Sequence, residues 1–347
     1  MRVLITGASG FVGKAAARAL LAAGHEVRGL TRDPTRQQAA GVQRVLGSIG
    51  DPASIASAAA ACDAIVHAAG ITSLGAPERV LRWVHIAGTE NVLRAARHAS
   101  VKRVLHMSCA DVSLSRDDRM HWDETRVLAQ DPIGSFAKSK LMAEEIALSG
   151  SDARLEVCAL RPDLLWGPGD VQGLSQLKRE LQQGGVILYD QGRNVLGTTH
   201  IDNLTQAILK ALQAQDAPGR AYYITDGEFL EARELYTRLL SALGLPTKLV
   251  QRSLGMALLR ARLASKLGLT PRSSEAQILR RAKSALFDLS SASKDLGYTP
   301  TLDLDAQLQG LADWVRAEGG FDAVVSRVRP EPTHSDVDAQ VALAGGD

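Results

Sequence analysis

Short runs of apolar and β-branched residues alternate with longer stretches of helical periodicity in the first half of the chain. The apolar runs predict strands at Val3–Thr6, Glu26–Leu30, Gln43–Leu46, Ala64–Ala68, Arg103–Met107 and Leu155–Leu160. The longer stretches predict helices at Val12–Ala23, Ala53–Ala61, Pro77–Ala99 and Phe136–Leu148. Alternating strands and helices are typical of parallel pairing with right-handed crossovers, so we expect an α/β fold with a doubly wound parallel sheet.

The second half of the chain is less regular. Its periodicity predicts helices at Asp202–Gln213, Glu231–Ala242, Leu254–Leu267, Ala276–Ala285 and Leu304–Arg316, with a short strand at Ala221–Thr225. We expect one domain in residues 1–165, with a return segment near 195–215, and a smaller lobe in 166–194 and 216–325. Residues 326–347 are rich in Pro, Asp, Ala and Gly without periodicity, which predicts a disordered tail.

The stretch from Leu254 to Leu286 carries apolar residues at helical spacing among arginines and lysines. Its apolar stripe consists of Met256, Leu259, Leu263 and Leu267. The favoured interpretation is a helix that packs this stripe on the core and leaves its basic face in solvent. A helix on a membrane surface, or one wall of an apolar substrate pocket, would show the same pattern.

Composition narrows the class of protein. The 347 residues are 45% hydrophobic and carry a formal net charge of +2, which gives no electrostatic reason to expect a nucleic-acid partner. The cysteines Cys62, Cys109 and Cys158 form no Cys-x-x-Cys pair, so we expect neither a disulfide framework nor a zinc site. The chain opens on a strand without a signal peptide, and no apolar run reaches the roughly 20 residues of a spanning helix. These features predict a soluble cytoplasmic protein.

A glycine-rich turn, Thr6-Gly7-Ala8-Ser9-Gly10-Phe11-Val12-Gly13, links the first predicted strand to the first predicted helix. Glycines let backbone N–H groups approach a pyrophosphate, and a helix N-terminus favours an anion, so this context predicts a dinucleotide site. An acidic residue after the second strand would select NAD through the ribose 2′-hydroxyl. Arg32 stands there instead and suits a 2′-phosphate, although Asp33 can neutralise it. We expect NADP as the preferred cofactor and NAD as the alternative.

Several further motifs carry a family resemblance. They are His67-Ala68-Ala69-Gly70, Gly88-Thr89-Glu90-Asn91, Arg161-Pro162, Gly167-Pro168-Gly169, Thr199-His200-Ile201-Asp202-Asn203, Tyr223-Ile224-Thr225-Asp226-Gly227 and Leu296-Gly297-Tyr298-Thr299-Pro300. With the glycine turn, they resemble the extended short-chain dehydrogenase/reductases, and most closely the 3β-hydroxysteroid dehydrogenase and dihydroflavonol reductase branch of the NAD-dependent epimerase/dehydratase family. The resemblance covers roughly residues 1–318. It implies a Rossmann domain with a smaller C-terminal α/β substrate-binding lobe.

The resemblance and the glycine turn together predict a cofactor site. Its residues are Gly7, Ser9, Gly10, Phe11, Val12, Gly13, Arg32, Ser48, Ile49, Ala68, Ala69, Lys140, Pro162 and Leu165. Ser48 departs from the family, which usually has an aspartate near the adenine. The family pattern also implies a structural hinge, not a metal site, at His200 and Asp202, and a homodimer built on the helices of residues 77–99 and 136–148.

The family's catalytic residues are Asn, Ser, Tyr and Lys, and only the lysine is retained. In Ser135-Phe136-Ala137-Lys138-Ser139-Lys140, Lys140 keeps its place while the tyrosine falls on Phe136, one helical turn away. The asparagine falls on His85, and the serine falls on Cys109, next to Ser108. Phenylalanine cannot donate a proton, so the cofactor site is expected to persist without its usual acid–base group.

Four hypotheses address the missing proton donor. Lys140 can act as the acid or base if burial lowers its pKa. His85, Asp111 or Asp163 can supply the proton directly or through water. The substrate can also be one that needs no donor. Finally, Cys109 and His85 can form a nucleophile–base pair, although buried cysteines and helix histidines more often serve packing.

Two classes of function remain open from the sequence. The leading hypothesis is an NADP(H)-dependent oxidoreductase that acts on a hydroxyl or carbonyl of an apolar small molecule, with proton transfer centred on Lys140. The competing hypothesis is a non-redox protein: a cofactor-binding scaffold or sensor, or an enzyme that uses Cys109 and His85 for elimination, cyclisation or acyl chemistry. The joint loss of Asn, Ser and Tyr is the feature that separates them, because a single change is more easily compensated than three.

Overall fold

The computed structural model describes residues 1–72, 74–128, 132–267, 273–301 and 303–328. Its strands are β1 (Arg2–Thr6), β2 (Glu26–Thr31), β3 (Gln43–Leu46), β4 (Ala64–His67), β5 (Arg103–Met107), β6 (Arg119–Trp122), β7 (Glu156–Pro162), β8 (Leu164–Trp166), β9 (Val186–Tyr189), β10 (Thr198–His200), β11 (Ala221–Ile224), β12 (Leu249–Arg252) and β13 (Ala285–Phe287). Of the predicted tail at 326–347, residues 329–347 lie outside the described part of the chain.

The α-helices follow the same chain order. They are α1 (Phe11–Ala22), α2 (Pro52–Ala59), α3 (Glu78–Arg82), α4 (Gly88–His98), α5 (Ser135–Ser149), α6 (Val171–Gln182), α7 (Ile201–Ala211), α8 (Ala232–Ala242), α9 (Leu254–Lys266), α10 (Glu275–Ala282), α11 (Leu304–Ala317) and α12 (Phe321–Val325). A π-helical turn, Trp83–Ala87, joins α3 to α4, so the single helix predicted from Pro77 to Ala99 is interrupted at its middle. Such insertions often occur at functional sites.

A seven-stranded parallel sheet forms the centre of the molecule, in the order β11-β7-β5-β4-β1-β2-β3. The chain first builds outwards from β1 through β2 to β3 and then returns to β4 on the other side of β1. This reversal defines the switch point at which doubly wound folds bind ligands, outside the carboxyl ends of the strands. The predicted Rossmann-type fold class is confirmed.

The central strands are apolar on both faces because helices cover both sides of the sheet. Val3 and Ile5 of β1 join one buried cluster, whereas Leu4, which points to the opposite face, joins another. Helix α1 packs on the first face through residues such as Leu20, and α2 packs on the second through Ile55. This core on both faces of the sheet fixes the positions of the strand ends relative to one another.

The C-terminal lobe has its own core and several two-stranded pairings. Leucines of α6, β9, α8 and α11 form its largest buried cluster, while β8 pairs with β10, β9 with β12 and β6 with β13. The predicted helix to Ala285 ends earlier, at Ala282, because Ala285 enters β13 and donates its N–H to Val195. The structure also places β11 in the central sheet, although the sequence assigned residues 216–325 to the lobe.

Helix α9 corrects one interpretation of the sequence. The stripe predicted to face the core is exposed: Met256 by 54%, Leu259 by 58%, Leu263 by 50% and Leu267 by 73%. The opposite face packs inwards through Leu254, Leu258 and Ala261. Because α9 is apolar on both faces, periodicity could not show which face is buried. No described helix is long and apolar enough to cross a membrane.

Candidate active site

The glycine turn lies at the switch point and leaves no room for side chains. Gly7 has φ +71, and a Cβ there would lie 2.8 Å from the carbonyl oxygen of Ala68. A Cβ on Gly13 would lie 2.2 Å from the carbonyl oxygen of Gly7. Helix α1 begins after Gly10 with no side-chain cap and no acidic residue in its first turn. Its first N–H groups are therefore available to an anion, so the turn fits a dinucleotide pyrophosphate.

The structure brings the predicted cofactor residues to one edge of the sheet. Gly7 to Gly13 follow β1, Arg32 follows β2, Ser48 and Ile49 follow β3, Ala68 and Ala69 follow β4, and Pro162 ends β7. Because these strands are parallel neighbours, their carboxyl ends open on the same crevice. Phe11, Val12, Ala68 and Leu165 also pack on a common core cluster. The Ser48 hydroxyl accepts the N–H of Gly50 at 3.1 Å.

Lys140 lies on α5 and is buried beside the end of β5. Its Nζ atom donates a hydrogen bond to the carbonyl oxygen of Met107 at 2.5 Å. Burial lowers its pKa, while nearby Cys109 and Glu144 oppose that shift. Lys140 and Cys109, both candidates from the sequence, therefore lie close to each other.

Phe136 and His85 pack on each other one turn from Lys140. Their rings meet edge to face with centroids 5.7 Å apart. The His85 Nδ1 atom lies 2.9 Å from the Ser139 hydroxyl, and Nε2 lies 3.2 Å from the backbone nitrogen of Ile71. His85 thus joins the π-helical turn to α5 and to the segment after β4. Burial, with a further contribution from the Lys140 charge, lowers the pKa of His85 to about 3, so it is neutral at pH 7.

A second buried histidine, His67, links the glycine turn to the π-helical turn through two hydroxyls. The Thr6 hydroxyl accepts the N–H of Ala69 at 3.2 Å and lies 2.7 Å from His67 Nδ1. The Thr89 hydroxyl donates to the carbonyl oxygen of His85 at 2.6 Å and lies 3.1 Å from His67 Nε2. Thr89 must therefore accept the proton on Nε2, which makes His67 a neutral imidazole that accepts from Thr6.

His106 completes a buried histidine cluster that sequence reasoning missed. Its ring lies 5.5 Å from that of His67, and neither of its nitrogens has a hydrogen-bond partner among the described residues. Burial lowers the pKa of His67 to about 3 and lowers that of His106 well below its usual value, and the Lys140 charge adds to both shifts. The three histidines beside Lys140 are thus held neutral.

Cys109 follows β5, beside Lys140, and is partly buried. Burial and the neighbouring Asp111 raise the pKa of its thiol to about 12. Within the described chain, no hydrogen bond joins Cys109 to His85, whose ring nitrogens face Ser139 and Ile71. A nucleophile–base pair needs a thiolate and a base within reach, and this arrangement provides neither.

Charged side chains lie beyond Cys109, where the C-terminal lobe meets the sheet. Arg280 of α10 places its Nε atom 3.2 Å from the carboxylate of Asp111, which is only 1% exposed. Asp163, between β7 and β8, is also buried, and burial raises its pKa to about 6 against the opposing charge of Arg119. Asp111 and Asp163 were candidates from the sequence. The arginines were not, since only the fold brings α10 and β6 to this place.

A buried carboxylate organises the crossing between the sheet and the lobe. Asp226 accepts hydrogen bonds from the backbone of His200 at 2.7 Å, from Thr198 at 2.8 Å and from the Trp166 indole at 3.1 Å. The His200 ring lies 3.6 Å from the exposed carboxylate of Asp202. These contacts fit the structural hinge implied by the sequence motif.

The sheet, the glycine turn and the buried lysine beside it define a dinucleotide-binding enzyme fold. The NAD dependent epimerase/dehydratase family matches residues 3–225, and the chain belongs to that family. It is therefore an oxidoreductase-like member of the extended short-chain dehydrogenase/reductases.

Named relatives agree with this assignment. A 2-alkyl-3-oxoalkanoate reductase of Stenotrophomonas maltophilia is 34% identical over 255 residues, which cover 71% of this chain and 77% of that protein. A 3-beta-hydroxysteroid dehydrogenase of Mycolicibacterium neoaurum is 30% identical over 257 residues, which cover 70% of each. Among solved structures, a DesIV double mutant (dTDP-glucose 4,6-dehydratase) from Streptomyces venezuelae with NAD and DAU bound has a TM-score of 0.73 at 26% identity, covering 92% of this chain and 98% of that one.

Proposed function

We propose that the protein is an NADP(H)-dependent oxidoreductase that interconverts a carbonyl and a hydroxyl group on an apolar small molecule. The observation that carries the proposal is the position of Lys140, buried at the end of β5, two strands along the sheet from β1 and its uncapped glycine turn. The relatives named above are a reductase of an alkyl oxo acid and a dehydrogenase of a hydroxysteroid, which supports an apolar ketone or alcohol as substrate.

The chain's own residues divide the chemistry in a specific way. A bound nicotinamide cofactor would supply or accept the hydride. Lys140 would hold the ribose and place a positive charge where an alkoxide develops, an electrostatic role that needs no tyrosine. Burial lowers the pKa of its ammonium and so eases release of a proton. Phe136, with its ring against His85, contributes an apolar wall that excludes water.

Turnover tests this proposal. We expect the purified protein to bind NADPH and to consume it, by loss of NADPH absorbance, with long-chain 3-oxo acids or 3-oxosteroids. Lys140→Met should lower kcat/KM by at least about 100-fold, since it removes the acid and the charge together. Cys109→Ser serves as the matched control, with full activity expected because its thiol carries no step. Loss of all activity in Cys109→Ser, with Lys140→Met still active, would favour the covalent alternative instead.

The preference for NADP is proposed from the end of β2. Thr31 ends this strand, where an acidic residue would select NAD, and the exposed Arg32 follows it. Asp33 accepts hydrogen bonds from the backbone and hydroxyl of Thr35, and its carboxylate lies 3.6 Å from the Arg36 guanidinium. We expect Arg32→Ser to weaken NADPH binding roughly tenfold or more and to leave NADH binding nearly unchanged, as measured by fluorescence titration. If the binding of NADPH and the binding of NADH weakened equally, Arg32 would not have the proposed role.

Assembly and location complete the proposal. We propose a cytoplasmic enzyme that forms a homodimer through α5 and the helices on either side of the π-helical turn. Size-exclusion chromatography with light scattering measures this directly. If the protein is a monomer at all concentrations, the proposed dimer is wrong and the proposed chemistry is unaffected.

A further inference from the structure

Helix α9 presents an apolar stripe to solvent although its other face is well packed. Leu259 and Leu263 lie near the centre of the stripe, and each is exposed by half or more. On the inner face, Ala261 is buried in a cluster with Tyr189 and Ile278. The helix therefore packs on the lobe through its inner face, which leaves the apolar stripe on the surface.

Positive charge borders this stripe. Arg260 and Lys266 are exposed and, by helical geometry, lie on opposite sides of the line through Leu259 and Leu263. Arg262 forms a salt bridge with Glu275 at 2.8 Å. The sequence of α9, LGMALLRARLASK, contains no acidic residue. An apolar line with a basic side chain on either side is the pattern of helices that lie in a membrane interface, where long cationic side chains reach lipid headgroups.

We propose that α9 docks the protein on the surface of an anionic lipid bilayer. The helix has 13 residues and is about 20 Å long, shorter than the roughly 30 Å hydrocarbon core, so it lies on the membrane. A second copy of the chain is the less suitable occupant. A two-fold contact would set the same basic patch against itself, with like charges facing each other.

The position of α9 connects this surface to the candidate active site. Leu258 packs with Leu114 and with Leu279 of α10. Helix α10 in turn places Arg280 on Asp111, two residues from Cys109. A membrane-bound α9 would therefore hold the lobe that borders the site against the bilayer, where apolar substrates concentrate.

Vesicle co-sedimentation of the full chain tests this proposal, and it is independent of turnover. The probes are phosphatidylcholine vesicles with and without phosphatidylglycerol. We expect at least about tenfold stronger binding to the anionic vesicles, reduced by added salt. Leu259→Glu and Leu263→Glu should each weaken binding about tenfold or more, and so should the double variant Arg260→Glu/Lys266→Glu. Leu46→Glu is the matched control, because Leu46 is also 58% exposed but lies on β3, and it should bind like the wild type.

Three results would overturn the proposal. The first is equal binding by wild type, Leu259→Glu and Leu46→Glu, which would mean that α9 is not the contact. The second is absence of vesicle binding together with a dimer that Leu259→Glu dissociates, which would assign the stripe to a second copy. The third is vesicle binding that Val341→Ser/Leu343→Ser abolishes and Leu259→Glu does not, which would place the membrane contact in the C-terminal segment. Circular dichroism and NADPH titration of each variant confirm that the fold is retained.

Discussion

At position 136, a hydroxyl group would stand one helical turn from the Lys140 ammonium, but phenylalanine places a ring edge against His85 instead. The other two departures from the family pattern, at His85 and Cys109, are consistent with the loss of this hydroxyl. His85 is bound to Ser139 and the Ile71 backbone, and the Cys109 thiol stays protonated. Of the family's catalytic residues, Lys140 remains, buried at the end of β5. Single side chains outside the predicted cofactor site stabilise the fold around it.

Arg280 is one of these side chains, and its replacement should lower the free energy of unfolding. Arg280→Met leaves the buried Asp111 carboxylate without its cation, so we expect a loss of about 3 kcal/mol in the free energy of unfolding. Adding Asp111→Asn should recover most of the loss. Arg116→Met is the control: its partner is Glu275, its side chain is 63% exposed, and its loss should be below about 1 kcal/mol. Urea denaturation measures these three variants and Asp111→Asn alone, and an additive double variant would contradict the pairing.

The sequence predicted some residues of the site well and others not at all. Lys140, Phe136 and the glycine turn are visible because their partners are close in sequence and their spacing is regular. His67 and His106 lie in apolar strands, where nothing local shows that they meet around Lys140. Arg280 reaches Asp111 across the two lobes, a contact that only the three-dimensional packing of α10 creates.

At the scale of elements, the unit β1–turn–α1 is the most constrained part of the molecule. Val3 to Thr6 of its strand are buried, and a Cβ on Gly13 of its helix would collide with backbone atoms of the turn. Gly13→Ala would bring a methyl group onto the Gly7 carbonyl, so we expect a loss of about 1–3 kcal/mol in stability and a marked loss of NADPH affinity. Calorimetric unfolding and NADPH titration check both effects.

Gly310→Ala is the matched control for that substitution. Gly310 lies in the middle of α11 with nothing within 4 Å of a Cβ. Alanine there should raise stability by about 0.5–1 kcal/mol, because helical glycine is intrinsically unfavourable. If Gly13→Ala behaved like Gly310→Ala, the close backbone contact at the turn would be refuted.

The first-half elements were predictable to within a few residues, and the π-helical turn, β6 and β13 were not. Strands β1 and β4 are recognisable from the continuous apolar runs that a core on both faces of a sheet requires. The short strands of the lobe, such as Ala285–Phe287, have only three residues and form because a partner strand is present. The buried face of helix α9 could not be predicted either, because both of its faces are apolar and only the packing shows which one is buried.

For the whole molecule, the buried histidines predict sensitivity to acid. His67, His85 and His106 have pKa values lowered in the folded state, so the unfolded chain binds more protons below pH 6.5. Stability is therefore fully present above pH 6.5 and is lost as the pH falls towards about 3, by up to about 1.4 kcal/mol per pH unit for each histidine. Denaturation midpoints measured from neutral pH downwards give the slope.

His106→Leu should reduce that slope by about one proton. It should also preserve or raise stability at acidic pH, because both of its ring nitrogens are buried without partners. His98→Gln, at an exposed position, should leave the slope unchanged. An unchanged slope in His106→Leu would show that this histidine is not held neutral by burial.

Hydride transfer by a site that has lost its tyrosine is the central feature of the proposed function. The most direct measurement is mass spectrometry of the product after reaction with NADPH deuterated at the nicotinamide C4 position. We predict that the wild type places one deuterium on the carbon of a reduced apolar ketone, and that Lys140→Met does so at least about 100-fold more slowly. The contradicting result is a wild type that binds NADPH but transfers no deuterium to any ketone that Phe136→Tyr reduces.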